Sequence, residues 1–373
     1  MPRIETRTDR HADQAFESAA PEDEASAPEG ADERDARRRL PLAQPANAGV
    51  GVRADATEEP RDQKAEDATY ARFTPRMAVQ LAAPHTWPAA VLPALVAVSA
   101  AAAGHGRVSA IMACVLLAIC VLMQSSVNTF NDYYDFVKGA DTADDDVAPD
   151  DATLVYEHVN PRCALALGIG FLVAAFVLGA YVIWVAGWIP LAIGVAGALF
   201  VVLYSAGKTP ISYLPIGELV SGGVMGGLIP LACYQALTGD LNWLMLLWAV
   251  PEIIGVGLIM LTNNTCDIEK DIPVGRRTLP ALIGRTRARA LYHGAMYAWV
   301  AAIIALVGAF FTNGLIIVPF MLLAVFPLMK PLLKNPLVGA SRIAAMGQVC
   351  TLNVALGAFY SACMLANGFS VVL

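Results

Sequence analysis

Asn128-Thr-Phe-Asn131-Asp132-Tyr-Tyr-Asp135-Phe-Val-Lys138-Gly-Ala-Asp141 closes an apolar run that begins near residue 108. The run is long enough, as a helix, to cross a hydrocarbon core about 30 Å thick. It ends in three carboxylates and two carboxamides. On a helix Asn131 and Asp135 share a face, and Asp132 points about 100° away from them. A second ending of this kind, Asn263-Asn264-Thr-Cys-Asp267-Ile-Glu-Lys-Asp271, follows another apolar run and again sets two carboxylates at i and i+4. The chain reads as a frame that brings these two endings together.

Composition places that frame in a membrane. Of 373 residues 57% are hydrophobic and only 15% charged, whereas soluble domains carry about a quarter charged residues. The net charge of −7 hides two unlike parts: residues 1–78 hold 17 Asp/Glu and 12 Lys/Arg, and the rest of the chain is nearly neutral. Residues 1–76, rich in Ala, Glu, Asp, Arg and Pro, have too little apolar surface to offset the entropy of ordering and are expected to form a disordered tail. Positions 1–30 lack an apolar core segment, so no secretory signal is expected there. Residues 77–373 form the membrane domain. The seven cysteines stand singly with no C-x-x-C spacing and point to neither a disulfide framework nor a zinc site.

From about Met77 the pattern becomes apolar runs of membrane-spanning length, approximately 79–103, 108–131, 164–182, 184–204, 214–238, 241–264, 291–311, 313–330 and 345–369. The expected fold is therefore all-α, a polytopic bundle of about nine transmembrane helices. With nine spans, four loops lie on the side of the N-terminal tail and carry 12 of the 13 Lys/Arg after residue 78. The positive-inside rule makes that side cytoplasmic. The expected location is the cell membrane, multi-pass, with tail and active-site loops in the cytoplasm. Twelve of the 15 acidic residues of the membrane part collect on the same side.

Paired carboxylates at helix mouths suit a hard divalent cation. Magnesium takes one or two carboxylates and completes its shell with water and substrate phosphate oxygens, so the implied ligand is a diphosphate. Without cations, carboxylates converging at a low-dielectric surface repel one another. Positive side chains stand ready: Lys138, Lys208, Arg276 and Arg277. An arginine pair grips phosphate with fork geometry, and lysine adds a point charge; positive-inside anchoring accounts for Lys208, Arg276 and Arg277 equally well on spacing. Arg285, Arg287 and Arg289 read as anchors.

The strings N-D-Y-Y-D-F-V-K-G-A-D at 131–141 and N-N-T-C-D-I-E-K-D-I-P-V-G-R-R-T-L-P at 263–280, together with Tyr204-x-x-x-Lys208, resemble the UbiA superfamily of intramembrane prenyltransferases. Pro84-His-Thr-Trp-Pro88-Ala-Ala and Tyr213-Leu-Pro-Ile-Gly217-Glu218-Leu-Val add to the likeness, which spans roughly 77–370 and is strongest to the 1,4-dihydroxy-2-naphthoate polyprenyltransferases of menaquinone synthesis. The resemblance implies that Asn131, Asp135, Asp267 and Asp271 bind two Mg2+ ions bridging a prenyl diphosphate. Tyr204 and Lys208 match the family's tyrosine and lysine beside the diphosphate. Asp132, Lys138, Asp141, Asn264, Arg276 and Arg277 complete the expected catalytic set. Two positions depart from the family pattern: Cys266 stands where Arg is usual, and Ala83 replaces the Arg expected before Pro84. Both changes remove positive charge from the site.

The implied reaction passes a polyprenyl chain from its diphosphate to an electron-rich aromatic ring through an allylic cation, releasing pyrophosphate. With dihydroxynaphthoate the ring carboxylate leaves as carbon dioxide and the product is demethylmenaquinone. Tyr133, Tyr134 or Tyr204 can face the cation with a ring. Other acceptors, namely 4-hydroxybenzoate, homogentisate or a lipid headgroup, are the alternative within this chemistry. A transporter with an acidic cytoplasmic vestibule is the alternative outside it. The partners expected are the two substrates and the bilayer, with no nucleic acid and no protein. Asp144-Asp145-Asp146 and Asp150-Asp151 read as solvated loop acids. Gly222, Gly223, Gly226 and Gly227 read as helix packing. Glu252 lies nearer mid-membrane and needs a partner, and Glu218 is a candidate for orienting the acceptor.

Overall fold

A computed structural model describes residues 70–138, 153–205, 209–368 and 370–372. The expected tail lies outside these residues but for its last few positions. Asp141, Lys208 and the acidic loop at 144–151 lie outside them too, as do the side chains of Asp135 and Lys138.

The regular structure of the described residues is helical, apart from a parallel pair of three-residue strands, Arg107–Ser109 and Ser370–Val372. The helices are α1 (Pro75–Ala82), α2 (Pro88–His105), α3 (Ala110–Lys138), α4 (Pro161–Ala186), α5 (Ile189–Ser205), α6 (Gly217–Thr238), α7 (Val250–Cys266), α8 (Arg285–Phe310), α9 (Val318–Lys334) and α10 (Arg342–Leu365). Six of them, α2, α3, α4, α6, α8 and α10, are long and apolar enough to cross a membrane. The other three expected spans are occupied by α5, α7 and α9, each 17 residues long, the short end of the spanning range. The architecture is the expected all-α polytopic bundle.

The first expected span, 79–103, is two elements. The short amphipathic α1, capped by the Thr74 hydroxyl accepting from Met77 N at 3.3 Å, stops at Ala83, whose φ is +45°. Pro84 lacks an amide hydrogen and disfavours helical geometry in the residue before it, which ends α1. The carbonyl of Ala82, freed by the break, accepts from Trp87 Nε1 at 3.1 Å and Asn128 Nδ2 at 3.0 Å. The membrane helix proper restarts at Pro88.

The core lies between α2, α7, α8 and α10, where Tyr292, Met296, Trp299, Ile303, Leu352 and Tyr360 are fully buried. Of the five glycines in α6, Gly222 and Gly226 form the contact with α7: a Cβ on either would stand 2.5 Å from backbone atoms of Ile253. Gly223 has open space, and Gly227 makes only ordinary contacts. One small-xxx-small pair thus presses two helix backbones together. The segment Gly222–Leu228 takes a π-helical turn as it does so. Helix α4 packs on α3, with Ser126 Oγ donating to the Gly168 carbonyl at 2.8 Å. Its other side leaves Val173, Val177, Trp184 and Val185 exposed, as a lipid-facing surface requires.

Candidate active site

A cavity of about 820 Å³ runs between α1–α7 and α10. One end is polar. Asn131 and Asp132 from the mouth of α3 border it, and so do Asn263, Asp267 and Lys270 from the mouth of α7. The two endings, remote in sequence, close over one space. Beyond them the wall is apolar and continuous, with Ile119 and Met123 of α3, Val182 of α4, Ile193 of α5 and Val224 and Leu228 of α6.

The α7 ending keeps its helical phase. Asp267 caps the helix, a single turn Ile268–Asp271 follows, and Asp271 N donates to Asp267 O at 2.8 Å. The side chains differ in exposure, 14% for Asp267 and 1% for Asp271. Asp267 borders the cavity. Asp271 lies behind the wall, its Oδ1 3.4 Å from Arg276 and its Oδ2 accepting from Thr278 Oγ1 at 3.3 Å. Burial raises the pKa of Asp271 to about 6, with the Arg276 charge offsetting part of the shift. Burial also raises that of Asp267, against the opposing pull of Arg342.

Asn264 turns away from the cavity and donates Nδ2 to Glu218 Oε1 at 2.9 Å. The neighbouring amide, Asn263, is the one on the wall. It stands four residues before Asp267, a spacing visible in the sequence that singles out this asparagine of the pair. Arg276 borders the cavity with its guanidinium 5.3 Å over the Tyr213 ring. Arg277 is exposed, and its backbone amide donates to Tyr213 O at 3.0 Å. Tyr204 and Tyr213 line the polar end. Tyr133 and Tyr134 instead pack edge-on to each other, centroids 5.3 Å apart.

Two features had no place in the sequence reading. Arg342, the first residue of α10, borders the cavity and reaches Asp267 Oδ2 at 3.2 Å and Asn263 Oδ1 at 2.8 Å. No local motif marks it, because its partners lie 75 and 79 residues upstream. Across the cavity Asn128 Nδ2 donates to Thr86 Oγ1 at 2.7 Å, and Gln124 Nε2 donates to Asn128 Oδ1 at 3.1 Å. These three line the opposite wall as an uncharged polar patch.

The donors suit magnesium better than a closed metal cage. Among the described residues no three His, Cys, Asp or Glu side chains converge. The polar wall instead mixes amides with carboxylates, as befits an ion that keeps water and takes oxygens from its substrate. Two buried polar atoms of cavity-lining residues at this end also lack hydrogen-bond partners among the described residues: Tyr204 Oη and Arg276 Nε. Such atoms are costly without a ligand.

Comparison with known proteins gives the family. Residues 90–335 match the UbiA prenyltransferase family. The chain belongs to that family. It is 34% identical over 228 residues to the 1,4-dihydroxy-2-naphthoate octaprenyltransferase of Bacillus subtilis (strain 168), covering 60% of this chain and 72% of that protein. The protein of the same name from Mycobacterium tuberculosis (strain ATCC 25618 / H37Rv) is 31% identical over 220 residues, 57% of this chain and 72% of its own. A solved UbiA homologue from Archaeoglobus fulgidus, bound to GPP and Mg2+, superposes with a TM-score of 0.54 at 16% identity, over 78% of this chain and 99% of that one. At that identity the superposition speaks for the fold. Family and helices together make the chain a multi-pass membrane protein and an enzyme of prenyl transfer.

Proposed function

We propose that this UbiA family member transfers a polyprenyl chain from polyprenyl diphosphate to 1,4-dihydroxy-2-naphthoate, releasing pyrophosphate and carbon dioxide and giving the hydroquinone demethylmenaquinol, which a separate two-electron oxidation turns into demethylmenaquinone. The observation that carries this is the 820 Å³ cavity, polar where the two acidic helix ends meet and mostly apolar along the rest of its length. A diphosphate head and a long hydrocarbon tail are the two halves of the ligand that such a space fits. The relatives from Bacillus and Mycobacterium bear the name of this activity, and the Archaeoglobus homologue binds a prenyl diphosphate with Mg2+.

In this reading Asn131, Asp135 and Asp267, with Asp271 once released from Arg276 and Thr278, would hold Mg2+, which would supply Lewis-acid neutralisation of charge on the departing pyrophosphate. Residues of the chain supply the rest. Lys270, Arg276 and Arg342 present positive charge at the polar end, and Lys138 and Lys208 belong to the same set. Tyr204 and Tyr213 offer ring faces to the allylic cation formed as the C1–O bond breaks. The acceptor lies against the Thr86–Asn128–Gln124 patch, whose amides and hydroxyl suit its phenolic groups. Its carboxyl-bearing carbon forms the new C–C bond. The carboxylate then leaves as carbon dioxide, returning its bonding electrons to the ring. The membrane domain, residues 77–373, carries all of this, in a cell membrane with the polar end cytoplasmic.

The test is a purified chain supplied with Mg2+, labelled polyprenyl diphosphate and a panel of aromatic acceptors, with products identified by mass. Demethylmenaquinol from dihydroxynaphthoate is the expected product, or demethylmenaquinone where air oxidises it during work-up. A different acceptor as sole substrate would overturn the assignment, and no product with any acceptor would overturn the reading altogether.

A further inference from the structure

We infer that Arg342 is a diphosphate-binding residue which, without substrate, is parked on the carboxylate of Asp267. The inference rests on the diphosphate reading above and adds to it a residue from the far end of the chain. The guanidinium has 19% side-chain exposure and borders the cavity. Its Nε lies 3.2 Å from Asp267 Oδ2 and 3.1 Å from Asn263 Oδ1, and its NH2 lies 2.8 Å from the same amide oxygen. The fork thus occupies two groups that themselves line the polar end. Among these contacts the fork is split between a carboxylate and an amide, whereas the guanidinium plane favours two parallel oxygens.

A purely structural arginine stands nearby for comparison. Arg285 donates Nε to Leu337 O at 2.8 Å and NH2 to Thr265 O at 3.1 Å, and forms a forked pair with exposed Glu269. Its donors tie backbone to backbone, and it is not on the cavity wall. Arg285 pins the base of α8 to α7, so Arg342 is not needed for that joint. A cation that takes Asp267 leaves the Arg342 fork facing the cavity, where diphosphate oxygens offer the planar, doubly accepting partner it suits.

The experiment measures binding rather than turnover. The full chain in detergent is titrated calorimetrically with a farnesyl thiolodiphosphate, whose C–S bond resists ionisation, at saturating Mg2+, and separately with Mg2+ alone. Arg342→Gln is expected to weaken thiolodiphosphate binding about tenfold or more, the loss of a charge-assisted hydrogen-bond pair. Its affinity for Mg2+ alone should stay equal or improve, since Asp267 loses its competitor. Arg287→Gln makes the same charge change at an exposed position and should bind as wild type does. Wild-type thiolodiphosphate affinity in Arg342→Gln would overturn the inference, and so would an equal loss of Mg2+ affinity, which marks a mere prop for Asp267. If Arg342→Gln fails to fold, Arg342→Lys keeps a cation beside Asp267 without the planar fork. A loss of about threefold or more is expected from it, and parity with wild type refutes the fork contact. Wild-type protein showing no Mg2+-dependent binding would refute the diphosphate reading itself, an outcome separate from the others.

Discussion

Replacing Gly226 by Ala should separate α6 from α7 and damage both stability and turnover. The Cβ of Gly226→Ala would stand 2.5 Å from Ile253 N and Cα and 2.6 Å from the Glu252 carbonyl carbon. These are backbone atoms of a packed helix, with no flexible side chain to yield. Ordinary contact requires the helices to part by about 1 Å. Overpacking of this kind costs about 1–3 kcal/mol, more than the ~1 kcal/mol that Ala gains over Gly in a helix. Three residues back along the same helix, Gly223 has nothing within 4 Å, so Gly223→Ala should be neutral or slightly stabilising. The displacement reaches the site, because the start of α6 carries Glu218, bonded at 2.9 Å to Asn264 at the mouth of α7. A shift of that size in positioning groups lowers rate by about 10²-fold. The assay is the fraction of monodisperse protein surviving a heating series in detergent, with prenyl transfer measured on the same samples. Gly226→Ala matching wild type in both, or Gly223→Ala failing alongside it, would show that the helix contact is not the tight joint described.

Asp267→Asn removes a carboxylate that borders the cavity, and turnover should fall by at least about 10³-fold with the fold intact by size-exclusion profile. Asp271 has its pKa raised by burial to about 6; a proton therefore competes with a cation below that value, and apparent Mg2+ affinity by calorimetry should decline as pH drops through 6 and level off above it. An affinity flat from pH 5 to 8, on a scale where each unit is about 1.4 kcal/mol, would remove Asp271 from the cation site. Deleting residues 1–69 should leave specific activity in vesicles within about twofold, since the cavity is lined by residues from 80–353 and the composition of 1–69 offers little apolar surface to pack. A tenfold loss would give the tail a role in catalysis.

Much of the fold was legible because lipid imposes a single rule: an apolar stretch of sufficient length becomes a helix with its hydrogen bonds satisfied internally. The misreadings come where a local covalent constraint overrides hydropathy. Residues 79–103 are apolar nearly throughout, yet Pro84 splits them, and the αL turn at Ala83 is invisible to any hydropathy window. Gly222, Gly223, Gly226 and Gly227 of α6 look alike in sequence. Only the crossing with α7 tells Gly222 and Gly226 from Gly223.

The site was legible to the extent that helical phase carries it. Asn131 and Asp267 border the cavity as their spacing at helix mouths requires, but Asn264 and Asp271 point to Glu218 and Arg276 instead. Pairings across the fold were not readable, and they govern the charge balance. Cys266 and Ala83 removed positive charge on paper, yet Arg342 arrives from α10 to stand against Asp267, the neighbour of Cys266. Each acidic side chain of this ending has its own arginine: Asp267 with Arg342, Asp271 with Arg276, Glu269 with Arg285. On the proposed reading, a site so neutralised would resist cation and diphosphate offered separately, because either would break the half-buried Asp267–Arg342 pair and leave one partner uncompensated. Offered together, the cation would take the carboxylates and the diphosphate the guanidinium groups, stranding no charge. Such an exchange of partners, rather than a pool of excess negative charge, is how we propose that a nearly neutral membrane domain holds a strongly anionic lipid head.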